Sequence, residues 1–104
     1  MPHAQPGSAR VAVVIPARNE EDVLGEALDS LRAQEFEGEI YIFVVDDNSS
    51  DATSQIARSR GATVLQAGTL PAGWTGKLWA VSRGVQAALG VGPDYLLLTD
   101  ADIE

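Results

Sequence analysis

The chain has 104 residues, with 15 acidic and seven basic side chains, a net charge of −8, no cysteine and a single histidine, His3. That length holds one domain. The absence of cysteine excludes disulfides, thiol catalysis and a histidine–cysteine zinc site, and so few scattered cations give no basic stripe for nucleic acid.

At 45% hydrophobic and 21% charged, the composition is that of a soluble globular protein. The longest apolar run, Ile40–Val45, is six residues, far short of the roughly 20 needed to cross a bilayer, and no signal-peptide pattern is visible. Residues 1–9 are polar and contain Pro and Gly, so they are expected to form a flexible tail ahead of a domain over 10–104.

Along the chain, Val11–Ile15 is a short β-branched run, the mark of a strand buried on both faces. Pro16 should stop it. Asn19 then suits a helix N-cap, with Glu20, Glu21 and Asp22 in a first turn where the macrodipole favours negative charge. Val23, Leu24, Ala27, Leu28 and Leu31 share one face, which predicts a helix to about Gln34. Gly38 marks a turn and Ile40–Val45 a second strand, followed by the polar run 46–51.

Ser50 or Asp51 can cap a second helix with Ile56 and Ala57 inward and Gly61 as its stop. Ala62–Gln66 reads as a third strand, and Ala67–Gly76, with three glycines and a proline, as a loop. A third helix follows, its apolar stripe being Leu78, Val81, Val85 and Leu89. Gly90, Gly92 and Pro93 break it before a fourth strand, Tyr95–Thr99. The β-α-β-α-β-α-β order predicts an α/β fold, a parallel sheet flanked by helices with strand order 3-2-1-4.

The polar residues gather at strand ends: Pro16–Glu20, Asp46–Asp51 and Asp100–Glu104. Ligands of open α/β sheets sit at the carboxyl ends of strands, so these groups should share one rim. Asn48, Ser49, Ser50 and Asp51 are expected as caps and turns. Capping does not account for Asp46, Asp47, Asp100 and Asp102, since four carboxylates on one rim repel each other.

Three segments, Val-Val-Ile-Pro-Ala-Arg-Asn-Glu-Glu (13–21), Val-Val-Asp-Asp-Asn-Ser-Ser-Asp (44–51) and Leu-Thr-Asp-Ala-Asp-Ile (98–103), resemble the family 2 glycosyltransferases in type and order. The loop and helix start Leu70–Trp79 is similar to the branch linked to hopanoid and carotenoid glycosylation, whose members are usually membrane-linked. The resemblance implies the Rossmann-like GT-A fold and inverting, metal-dependent hexosyl transfer from a nucleotide diphosphate-sugar to a lipid or other acceptor. It further implies that this chain is the nucleotide-sugar-binding half, ending after the Asp-x-Asp motif and before the catalytic base. The longer protein would then sit at the cytoplasmic face of a membrane.

By the same resemblance, Pro16, Ala17, Arg18 and Glu20 form a first nucleotide contact and Val45 and Asp47 a second, with Asp47 accepting the imide hydrogen of a uracil. Arg18 stands where relatives often carry an aromatic residue. Asp102 would hold Mg²⁺ or Mn²⁺ with Glu104 nearby, and Asp100 would lie near the ribose and the metal's water shell. Ala101 would be small because the backbone passes close to the nucleotide. Carboxylates are suitable hard ligands for these cations.

Other residues are read without the family. Asp46 is expected to brace its loop by accepting backbone N–H bonds. Lys77, the only lysine, stands at a helix start suited to a diphosphate. Trp74 and Trp79 either pack over the sugar or lipid acceptor or belong to the fold. The fourth strand should leave an apolar edge open to self-association.

A receiver-like phosphoacceptor domain is the competing reading, with Asp46, Asp47 and Asp100 around Mg²⁺. It does not explain the Asp-x-Asp or the Pro-Ala-Arg-Asn-Glu segment.

Overall fold

A computed structural model of the protein describes residues 9–34 and 38–101. The elements run β1 (Ala9–Ala17), α1 (Leu24–Ala33), β2 (Gly38–Asp46), α2 (Thr53–Ser59), β3 (Thr63–Gln66), α3 (Gly76–Leu89) and β4 (Tyr95–Leu98). All pairings are parallel and the sheet order is β3-β2-β1-β4, as the alternation of elements predicts.

Strand residues alternate between two cores, as a two-residue period requires. Val13, Ile15, Ile42 and Val44 pack with Leu24, Leu28 and Leu31 of α1 and Ala57 of α2. Ala12, Val14, Phe43 and Val45 pack on the other face with Ala80 and Ala88 of α3. Leu24, Leu28, Val13 and Val44 are fully buried, each worth roughly 1.5–3 kcal/mol of transfer free energy.

Several boundaries differ from the sequence expectation, each for a local reason. Ala9, assigned to the tail, is the first residue of β1. It pairs with Gly38, and the next pair is secured by an Arg10–Glu39 ion pair of 2.8 Å. Pro16 does not stop β1, which continues to Ala17. Pro16 still pairs with Val45 of β2, but the β4 ladder has ended at Val14, so a proline is tolerated where β1 is no longer paired on both sides.

Asn19 does not cap α1. It adopts a left-handed backbone (φ 52°), residues 21–23 form a turn, and the helix begins only at Leu24, leaving Val23 exposed. Asp51 comes closer to its expected role. The N-cap of α2 is Ala52, but Asp51 Oδ1 accepts the Thr53 N–H at 3.0 Å.

The largest correction concerns α3. Its sheet-facing residues are Ala80, Gly84 and Ala88, whereas Leu78 and Leu89 are exposed and Val81 and Val85 only half-buried. The helix lies so close to the sheet that a Cβ at Gly84 would collide with Val14 Cγ1 and stand 2.9 Å from Val45 Cγ2. Small residues therefore face inward, and the larger stripe is turned away. β4 forms one edge of the sheet, and its Tyr95, Leu96, Leu97 and Leu98 are all exposed.

This close approach makes Gly84→Ala a signed test. In an open helix the change would stabilise by about 1 kcal/mol. Here overpacking should reverse the sign and cost about 1–3 kcal/mol in urea unfolding.

Candidate functional site

The carboxyl ends of β1, β2 and β4 meet the start of α3 around a cleft of about 420 Å³. Pro16, Ala17, Arg18, Glu20, Asp47, Lys77, Asp100 and Ala101, all named from sequence, line it together with Gly76 and Ala80. Asp47 and Asp100 thus share one rim. Val45 does not reach the cleft: it is fully buried beneath α3, because its place in β2 turns it into that core. Asp102 and Glu104 lie outside the described residues.

The loops after β1 and β2 are bound to each other. Asn19 donates its N–H to Ser49 Oγ at 2.9 Å, and its Oδ1 accepts the Ser50 N–H at 2.8 Å. Glu20 donates its N–H to Thr53 Oγ1 at 2.9 Å, while Thr53 Oγ1 donates to Asp51 Oδ1. Glu21 Oε1 accepts the Ala52 N–H at 3.2 Å. Glu21, one of the acids expected to serve the α1 dipole, therefore places its carboxylate in this loop junction, and the Thr53 bond holds Asp51 below the usual carboxylate range.

Asp46 performs its expected bracing role. It is 4% exposed, accepts the Ser49 N–H at 2.9 Å, and accepts a further bond from Ser54 Oγ. Burial alone would push its pKa up, but bonds from Ser49, Ser54 and Gln66 together outweigh it and hold the pKa below the usual range. That commitment also counts against a receiver-like trio, since Asp46 is turned into its loop and only Asp47 and Asp100 line the cleft.

Across the cleft, Thr75 caps α3, its side chain accepting the Leu78 N–H at 3.2 Å. This cap went unread in the sequence, although a threonine just ahead of an apolar helical run is an N-cap signal. Gly76 was also missed as a site residue: a Cβ there would stand 2.8 Å from Asp47 Oδ2 and displace that carboxylate. Lys77 Nζ reaches Asp100 Oδ1 at 2.9 Å, with both side chains more than half exposed.

Trp79 is fixed by its Nε1 donating to Ala67 O at 2.8 Å, and Trp74 meets it edge-on with centroids 5.3 Å apart. Trp79 thus belongs to the packing, while Trp74 remains exposed. Ala101 is 3% exposed and packs with Ala17 and Leu24, so core packing as well as cleft clearance calls for a small residue there.

Residues 12–104 match the family model described as glycosyl transferase family 2, and the chain belongs to that family. It is 40% identical over 96 residues to a 4,4'-diaponeurosporenoate glycosyltransferase of Staphylococcus haemolyticus, covering 90% of this chain and 24% of that protein. It is 38% identical over 92 residues to an uncharacterized protein of Methanocaldococcus jannaschii, covering 88% and 35%.

Among solved structures, glucosyl-3-phosphoglycerate synthase of Mycobacterium tuberculosis, in complex with Mn²⁺, UDP and glucosyl-3-phosphoglycerate, superposes with a TM-score of 0.73 at 27% identity. That match covers 92% of this chain and 34% of the synthase. The chain therefore spans about a quarter to a third of the length of these relatives. The sheet and helices are those of the GT-A fold that the three motifs imply.

The Asp46 environment sets a pH dependence. Its folded pKa lies below the unfolded value of about 3.9, so its contribution is present above that value and lost as pH falls through the folded pKa. Asp46→Asn should cost about 1–3 kcal/mol at neutral pH. Urea unfolding of the variant should also weaken less on acidification below about pH 4 than that of the parent.

Proposed function

We propose that this chain carries the donor side of an inverting glycosyltransferase that moves a hexosyl group from a uridine diphosphate-sugar to a lipid acceptor. The observation that carries the reading is the convergence of Asp47, Lys77 and Asp100 on one cleft at the start of a 14-residue helix. Asp47, at the end of β2, would accept the imide N–H of the uracil. Lys77 and the positive end of the α3 dipole would face the diphosphate. The relatives' names and the UDP held by the synthase support this assignment.

A divalent cation would offset the charge that builds on the departing diphosphate. The carboxylate of Asp100 fits it as a hard oxygen donor, and Asp102 and Glu104, beyond the described residues, would complete the set. Among the described residues no three acidic or histidine side chains gather closely enough to hold a metal, so Asp100 would not act alone. The synthase's complex with Mn²⁺ and UDP-glucose supports a divalent ion as part of this reading.

The lipid part of the proposal rests on Leu70, Trp74 and Leu78, exposed around the loop that leads into Lys77, and on relatives named for glycosylating a carotenoid-related acid. It implies a longer protein working at the cytoplasmic face of a membrane. In-line displacement also needs a base for the acceptor proton. The cleft's Glu20, Asp47 and Asp100 lie on the donor side, so we place the base elsewhere in that longer protein and expect this chain alone not to turn over. We further propose that the free edge of β4 leads this chain to self-associate.

Two measurements follow. Calorimetry should show UDP binding that weakens on adding chelator, and Asp47→Asn should lower affinity about 10- to 100-fold, as loss of a hydrogen bond to a charged group implies. Equal affinity with and without metal would reject the cation. In sedimentation, the chain should exceed monomer mass and Leu97→Lys should return it to monomer, because a charge blunts an open edge.

A further inference from the structure

Gly76 is the first residue of α3, and its backbone lies outside the left-handed region, so its own conformation does not call for glycine. Its neighbour does. A Cβ at Gly76 would stand 2.8 Å from Asp47 Oδ2 and 3.8 Å from Asp47 Cγ. The helix is not free to retreat, because Thr75 caps its first turn and Gly84 is pressed against Val14 and Val45. A side chain at position 76 would therefore move the carboxylate rather than the helix.

The other carboxylate oxygen is held from the loop. Asn48 Nδ2 donates to Asp47 Oδ1 at 3.3 Å. Asn48 itself has a left-handed backbone, φ 58°, which asparagine adopts more readily than most residues. The Asp47 main chain is fixed as well, its N–H donating to Ala17 O at 2.9 Å. The carboxylate thus lies between an amide that binds one oxygen and a bare Cα that leaves room for the other.

We propose that Asn48 and Gly76 form a slot that positions the Asp47 carboxylate, and that this slot sets a preference for uracil over cytosine. The inference rests on the nucleotide reading above and deepens it. Uracil carries a hydrogen at N3, whereas cytosine carries a lone pair there, which a carboxylate oxygen repels. Discrimination of this kind depends on direction, since a hydrogen bond weakens steeply as it bends. A carboxylate pushed out of the slot keeps its charge but loses its alignment with the base edge. Asn48 and Gly76 act through Asp47 and are positioning residues.

Calorimetry of the 104-residue chain with UDP and with CDP, at one fixed Mn²⁺ concentration, is the test. The parent should favour UDP by about 10- to 100-fold, the range for a hydrogen bond to a charged group, and Asp47→Asn should abolish the preference. Gly76→Ala should remove most of it while the urea midpoint stays unchanged or rises, because alanine suits a helix better than glycine. Asn48→Gly keeps the left-handed backbone, deletes only the amide, and should lower the preference about three- to tenfold. A merely structural role would move stability and leave the UDP-to-CDP ratio alone. If either variant keeps the parent's ratio while Asp47→Asn loses it, the slot is overturned and the nucleotide reading stands. If Asp47→Asn keeps the ratio too, or the parent shows no preference, the assignment of uracil to Asp47 falls and the slot falls with it.

Discussion

The parallel register of β1 and β2, from Ala9 opposite Gly38 to Ala17 opposite Asp46, is the constraint on which the rest of the molecule depends. It brings both strands to an end at one level, so that their following loops start side by side, and the Asp47 N–H donates to Ala17 O at 2.9 Å at the point of departure. A slip of one residue would turn every side chain to the opposite face. Val13 and Ile15 would then meet α3, whose close contact leaves no room for them.

That close contact is the second determinant. Ala80, Gly84 and Ala88 let α3 lie low on the sheet, and a low helix carries its first turn over the strand ends. Lys77 stands at the cleft because Gly84, two turns further on, has no side chain. The large aliphatic residues of α3 are displaced outward as a result, and together with β4 they leave apolar surface on one side of the sheet.

Much of this was legible in the sequence. Strand identity, order and the shared rim followed from β-branched runs alternating with helical periods, because buried parallel strands have few other ways to be written. The sheet-facing side of α3 was not legible, since hydrophobic periodicity rewards large residues whereas a helix pressed onto a sheet selects small ones. Asn19 misled for a related reason: its side chain is equally suited to cap a helix or to bridge loops, and its partners Ser49 and Ser50 lie some 30 residues away. Val45 entered as a nucleotide contact through the family resemblance alone, but strand alternation turns its side chain into the core.

The junction between the two rim loops has an entropic consequence. Loops that carry binding groups usually surrender configurational freedom when a ligand arrives, and that loss subtracts from affinity. Here Asn19, Glu20 and Glu21 are already tied to Ser49–Thr53 by bonds to backbone amides, and Thr53 is wholly buried. The freedom of this edge disappears when the chain folds. Its main chain then presents a rigid template, and adaptation to a guest falls to the exposed side chains of Arg18 and Lys77.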